Sequence, residues 1–340
     1  MKLDVIGFGS LNLDEIWEVP REFLRVHDLP LGEEYVRDVN WFARFYPELR
    51  KHGIMMDTTP GGSAANTIAA LRKLGFSTGF YGCAGESDLT ALKLEDLGRP
   101  KDLRIHTVPV AAGRCLALID AEDSLKDRVL LILPNANDMA GSEDLDTAYF
   151  LNASWLHLTS FVARDPLDAQ MNLAASVHGN TQISFDPGAI YSCLGMSTLE
   201  PLLRRTDVLF SSVEELEQLT SVNGVENAVD TLMKLGIEII VVKMGEKGLK
   251  AFSRDRAVSQ PPIPARTIKD RTGAGDVAAA GFLAGMLLSL NIEECAELAA
   301  ITASRSIEGF GRNAYPDRSV LETMLSRGQA AGSKHVQQDA

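Results

Sequence analysis

The sequence predicts an α/β protein with a mostly parallel central sheet and a smaller β-rich lid. From about residue 150 onward, short β-branched or apolar runs alternate with segments whose apolar residues recur at three- and four-residue steps. That is the cadence of strands joined by crossover helices. The first third breaks it: a charged and aromatic stretch fills residues 15–59, and three later runs resemble a β-meander. The chain has 340 residues, 45% hydrophobic and 23% charged, enough for one large core or two smaller ones.

Taken in order, "LDVIGF" (3–8) reads as a core strand and "PGGSAANTIAALRKLG" (60–75) opens a helix. "IHTVPV" (105–110), "GRCLALIDA" (113–121) and "RVLLILP" (128–134) read as meander strands. "SWLHLTSF" (154–161), "TQISFDPG" (181–188), "DVLFSSVEE" (207–215) and "IEIIVVKMG" (237–245) read as strands entering loops, with amphipathic helices between them over 166–179, 214–222 and 225–236. The apolar run 277–290 is a helix too short to cross a bilayer, which takes about 20 residues. The expected body is 1–14, 60–103 and 134–327, the lid 15–59 and 104–133, and the polar segment 328–340 a flexible tail.

A net charge of −13 and a pI near 5.0 argue against nucleic-acid and anionic-membrane partners, which need a basic face. A small molecule is the expected ligand. Cys83, Cys115, Cys193 and Cys295 are widely spaced, which suggests core thiols rather than a zinc site or disulfides. "MKLDVIGFGS" lacks the uninterrupted apolar stretch of a secretory signal, so the expected location is cytoplasmic.

The densest chemistry is "DRTGAGD", 270–276. Small residues before a helix let backbone N–H groups converge on an anion, and the helix dipole reinforces them. Asp276 then falls in the first turn, where an ionised carboxylate is favoured and can act as a general base beside an anion hole formed by Gly273, Ala274 and Gly275. This is the outline of a phosphoryl-transfer site. Taken alone, the same residues serve equally as a glycine turn with Asp276 as an ordinary cap. Eight basic residues between Lys243 and Arg271 would favour a nucleotide triphosphate, or form a solvated charged face.

"PGGSAANT" (60–67) again sets glycines before a helix: Gly61 and Gly62 permit close backbone approach, and Asn66 carries both a donor and an acceptor for hydroxyls. A capped helix start has the same pattern. Asn12 and Asp14 follow the first strand, placed to grip paired hydroxyls or to make a turn. No G-x-x-x-x-G-K-[ST] occurs, and "GFGSLN" has Asn12 where a dinucleotide fingerprint needs its third glycine.

Together these stretches resemble the PfkB, or ribokinase-like, family of carbohydrate and nucleoside kinases. The likeness runs from "GFGSLNLD" through "PGGSAANTIAALRKLGFSTGFYGCAGESD", "ILPNAND", "FSSVEELEQLT", "VVKMGEKG" and "DRTGAGDVAAAGFLAGM" to "ASRSIEGFGRNA". It implies a three-layer α/β/α sandwich with a β-lid, ATP with Mg²⁺ as donor, and transfer of the γ-phosphoryl group to a hydroxymethyl group. It implies Asp276 as base, Gly273, Ala274 and Gly275 as anion hole, and Asn12, Asp14, Gly61, Gly62 and Asn66 as acceptor ligands. Lys243, Gly245, Gly248 and Thr272 fall on the nucleotide side, with Gly273 and Gly275. Glu215 matches an acid tied indirectly to Mg²⁺, and Asp270 marks the place of a monovalent cation such as K⁺.

Two positions depart from the family pattern. Ser212 stands where an asparagine is expected in N-x-x-E, which puts metal positioning by that motif in question. Arg271 replaces a small residue or proline; it can reach a phosphate or point into solvent. The 47-residue interval from Asp14 to Gly61 is similar in length and pattern to the helical insertion of adenosine kinase. Trp41, Phe42, Phe45 and Tyr46 within it could stack a base or fill a core. A sugar-containing acceptor is expected first and a nucleoside second. A non-catalytic sugar-binding protein and a dinucleotide oxidoreductase are the alternatives from other classes, and the chain is expected as a monomer or homodimer.

Overall fold

The structure is a computed structural model, described here for residues 2–123, 128–141, 145–177, 179 and 181–326. The expected tail over 328–340 lies outside these residues. In chain order the strands are β1 (Leu3–Phe8), β2 (Asn12–Val19), β3 (Glu34–Val36), β4 (Ile54–Gly61), β5 (Thr78–Gly85), β6 (Leu103–Val108) and β7 (Gly113–Asp120). They continue with β8 (Arg128–Leu133), β9 (Ala153–Thr159), β10 (Gln182–Asp186), β11 (Val208–Ser212), β12 (Ile239–Lys243), β13 (Leu249–Ser253) and β14 (Ala257–Gln260). Nine form one sheet, ordered β14-β13-β12-β11-β10-β9-β1-β5-β6, antiparallel only at the β12–β13–β14 end.

Alternation along these strands sends successive residues to opposite faces. Val5, Trp155 and Val241 pack under the Ser63–Lys73, Ala274–Leu287 and Ile292–Ser306 helices. Ile6, Leu156, Ile240 and Val242 pack against helices that include Arg164–Ser176 and Val213–Thr220. The result is three layers, helix, sheet and helix.

The smaller sheet, β3-β8-β7-β2-β4, mixes parallel and antiparallel pairs. Its outer face, with Trp17, Leu116, Leu118, Val129 and Leu131, packs on the Val39–His52 helix through Phe45 and Leu49. Trp41, Phe42 and Tyr46 join the same cluster, and Trp41 stacks on Phe45 at 4.3 Å between ring centroids. The lid aromatics therefore build the lid's own core.

Two boundaries differ from those expected. β6 pairs in parallel with β5 in the large sheet, so residues 103–108 belong to the body; the run resembled a meander strand because edge strands lack a fully apolar pattern. Conversely, β2 starts at Asn12 and β4 ends at Gly61, so residues 12–14 and 60–61, assigned to the body from the sequence, lie in the small sheet. Strand pairing runs unbroken across the seam where chemistry made a boundary look natural.

The Ala274–Leu287 helix is buried on all sides from Val277 to Gly285, which accounts for its uniformly apolar sequence. Gly281 lets it approach the Ile292–Ser306 helix: a Cβ there would collide with Thr302 Oγ1 and lie 2.8 Å from the Leu298 carbonyl oxygen. Gly281→Ala should therefore destabilise the fold by about 1–3 kcal/mol, the cost of overpacking a tight core. Thr302→Ala in the same chain should restore part of that loss in urea denaturation, whereas an unchanged midpoint for Gly281→Ala would contradict this packing.

Candidate active site

The carboxyl ends of parallel strands form a crevice where α/β sheets commonly bind ligands. Here the polar residues that end β9, β10, β11 and β12 are Thr159, Asp186, Ser212 and Lys243. Lys243 Nζ lies 2.6 Å from Asp186 Oδ2, and both side chains are largely buried. Burial alone would lower the Lys243 pKa, but the Asp186 and Glu215 carboxylates outweigh it and hold the ammonium charged.

Facing this pair is the first turn of the Ala274–Leu287 helix, capped by Gly273 in the left-handed region at φ 75°. The Ala274 amide bonds back to the Arg271 carbonyl at 3.2 Å, and the helical ladder begins with Val277 N–H to the Gly273 carbonyl at 3.0 Å. Ala274 is thus already engaged, and the Gly275 and Asp276 amides are the ones that precede the ladder. Lys243 Nζ sits 3.5 Å from where a Cβ on Gly275 would be, so the cation lies against the first turn of this helix.

Asp276 accepts from Ser63 Oγ at 2.7 Å and from Asn66 Nδ2 at 2.9 Å. Burial pushes its carboxyl up to about 6, and Asp186 adds to the rise, while the Asn66 and Ser63 hydrogen bonds and Lys243 restrain it. The "PGGSAAN" stretch therefore meets "GAGD" in space because two helix starts converge. Gly62 precedes the Ser63–Lys73 helix at φ 97°. A Cβ on Gly61 would collide with the Asp14 carboxylate.

Asp14 is 8% exposed, and its Oδ1 has no hydrogen-bond partner among the described residues. Burial raises its carboxyl to about 7; Arg312 pulls it down while Asp276 and Asp270 push it up. Asp14, Asn66, Asp270, Thr272 and Tyr315 line a small cavity between the lid strands and the 270–272 loop, and the buried Thr272 Oγ1 has no hydrogen-bond partner among the described residues. Asn12 is held by Asn137, whose Nδ2 donates to Asn12 Oδ1 at 2.8 Å.

A second cavity, about 460 Å³, adjoins the helix start. Its walls are mostly apolar, with Pro262, Ile263, Ala278, Ala300 and Ile307, and it is bounded by Lys243, Gly245, Gly248, Arg271 and Gly275. The size suits a nucleoside-sized group. A larger cleft of about 800 Å³ lies beyond the 263–264 segment and is lined by neither Gly275 nor Lys243, both of which line the 460 Å³ cavity.

Among the described residues no group of three or more His, Cys, Asp or Glu could hold a metal by itself. Glu215 closes a capping box: its carboxylate accepts from the Ser212 amide at 2.6 Å, and Ser212 Oγ accepts from the Glu215 amide at 3.1 Å. Asp270 Oδ1 accepts from the Thr272 amide at 2.9 Å. Arg271 is exposed at its outer end and pairs through Nη2 with Glu246 Oε1 at 2.8 Å.

Sequence reasoning missed Asp186 as a member of this cluster, although it ends a strand run in "SFDPG" just as Lys243 ends one in "VVKMG". It also missed Arg312, which is 4% exposed. Its Nε donates to Asn66 Oδ1 at 3.4 Å and its Nη2 to the Gly61 carbonyl at 3.2 Å, which fixes the Asn66 amide with its NH₂ toward Asp276. Nothing local in "GFGRNA" announces that role. No helix of the described residues is long and apolar enough to cross a membrane.

The chain matches the pfkB family carbohydrate kinase pattern over residues 33–318. It is 32% identical over 250 residues to an uncharacterized sugar kinase of Archaeoglobus fulgidus, covering 74% of this chain and 99% of that one. A probable sugar kinase from Rhizobium etli superposes with a TM-score of 0.82 at 22% identity, over 96% of this chain and 99% of that one. Adenosine kinase from Sinorhizobium meliloti superposes with a TM-score of 0.81 at 20% identity, over 97% and 100%. The last two likenesses establish a shared ribokinase-like fold. With a family match across residues 33–318 and a sugar-kinase relative 32% identical over 74% of its length, the chain belongs to the pfkB family of carbohydrate kinases.

Proposed function

We propose that this chain transfers the γ-phosphoryl group of ATP to a hydroxymethyl group of a sugar or sugar-containing small molecule. The observation that carries the reading is Asp276: a partly buried carboxylate in the first turn of the helix, its pKa raised to about 6 and Lys243 near it, next in sequence to Gly275, which lines the apolar cavity, and hydrogen-bonded to Asn66, which lines the small polar one. A base poised just below neutral pH suits deprotonation of an alcohol as phosphorus bonds to it.

In that reaction the acceptor O–H proton passes to the Asp276 carboxylate, a new O–P bond forms, and the bond from the γ-phosphorus to the β,γ-bridging oxygen breaks to release ADP. The Gly275 and Asp276 amides and the Lys243 ammonium stabilise charge on the migrating group. Asp14, with its unpaired oxygen, and Asn66 receive acceptor hydroxyls, with Asn12, Gly61 and Gly62 forming the floor. Gly245, Gly248 and Thr272 border the nucleotide side. A Mg²⁺ bound with the nucleotide would neutralise phosphate charge. Asp186 and Glu215 are the nearby acids, and Glu215 could contribute only through a water or by leaving its capping box. A monovalent cation beside Asp270 completes the proposal.

Sugar is favoured over nucleoside because Trp41, Phe45 and their neighbours are committed to the lid's own core, leaving them no role in stacking an acceptor base. An ATP-consumption screen across furanoses, hexoses, keto-sugar acids and nucleosides will name the acceptor; consumption with nucleosides alone would reverse the preference.

Asp276→Asn should leave ATP affinity within about twofold while lowering kcat by about 10²- to 10⁴-fold, the usual worth of a positioned base. Wild-type turnover in that variant would remove Asp276 from the mechanism. The raised pKa also fixes a sign. The base works only when ionised, so kcat/KM should rise with pH through about 6 and level off above about 7, where Asp14 is also ionised. Initial rates measured from pH 5 to 9 check this, and a flat profile down to pH 5 would exclude Asp276 as the titrating base.

A further inference from the structure

We infer that Arg271 is a phosphate-binding residue of the donor site, held by Glu246 until a nucleotide takes that carboxylate's place; the inference rests on the ATP-dependent reading above. Arg271 and Glu246 both line the 460 Å³ cavity, together with Lys243 and Gly275. The backbone that carries Arg271 is fixed on both sides. Asp270 is 8% exposed and holds the Thr272 amide, and the Arg271 carbonyl accepts from Ala274. The side chain is consequently presented across the cavity mouth to the turn Gly245–Lys247, where Glu246 meets it at 2.8 Å.

Charge decides what happens when a polyphosphate enters. Lys243, the other cation of this cavity, is already compensated by Asp186 at 2.6 Å. Glu246 is 74% exposed and free to swing into water, whereas Arg271 is 38% exposed. An exposed carboxylate–guanidinium pair is weak. A guanidinium grips phosphate oxygens through paired, charge-assisted hydrogen bonds. A triphosphate would repel Glu246 and attract Arg271, so one contact replaces the other with no backbone change.

The two residues should consequently act with opposite signs. The test is calorimetric titration of ADP and of ATP with Mg²⁺ into the full-length protein, its Arg271→Met and Glu246→Gln variants and the double variant. Arg271→Met should weaken nucleotide binding about tenfold and Arg271→Lys less, since lysine keeps the charge without the fork. Glu246→Gln should tighten binding about threefold, and that gain should vanish in the Arg271→Met background. Unaltered affinity in Arg271→Met would overturn the assignment. Equal tightening by Glu246→Gln in both backgrounds would mean simple repulsion and would overturn the exchange. If the wild type binds neither nucleotide, the kinase reading itself fails, an outcome distinct from wild-type binding with unaltered variants.

Discussion

Withdrawing the Asp276 carboxylate partly from water at the start of an apolar helix is the constraint that organises the rest of this molecule. A charge taken out of water must be compensated by hydrogen bonds and nearby charge, or it neutralises. Asn66, Ser63 and Lys243 supply that compensation only in part, and the carboxyl stays raised at about 6. Asp14, more deeply compromised, is raised to about 7. A carboxyl group with a raised folded-state pKa favours folding in its protonated form. That contribution is complete below the unfolded value near 4 and is lost as pH rises through the folded value. At neutral pH Asp276 is therefore mostly ionised and Asp14 about half ionised, at the expense of stability, which the two faces of the large sheet must offset.

The same constraint explains why the site sits at a seam. Asp276 needs donors from the Ser63–Lys73 helix, and Asp14 comes from a lid strand that pairs directly with the strand leading into that helix. Arg312 braces the junction by holding Asn66 and the Gly61 carbonyl at once. Close approach is obtained with small residues: Gly61 under Asp14, Gly281 where two buried helices cross. The lid helix, with its ring of aromatics, keeps the small sheet rigid from outside, while Glu15 beneath it is neutralised by Arg114 at 2.6 Å.

Much of this was legible because it is local or periodic. The alternation of apolar runs gave β9 to β12, and the glycine-plus-acid pattern marked the helix start at Asp276. What escaped was set by long-range contact. Whether 103–108 joins the body or the lid depends on pairing with β5, which neither residue pattern announces. Arg312 reaches Asn66 across 246 positions of sequence, and Arg271 finds Glu246 across 25. Only three-dimensional placement shows that the Ala274 amide, which the glycine pattern offers to an anion, is turned back to the Arg271 carbonyl.

The most direct measurement is a crystal structure with Mg²⁺ and a non-hydrolysable ATP analogue. It should place the terminal phosphate within hydrogen-bonding distance of the Gly275 amide and the Lys243 ammonium, with the Asp276 carboxylate facing the polar cavity. A terminal phosphate seated elsewhere, with Asp276 directed away from any space an alcohol could occupy, would contradict the account.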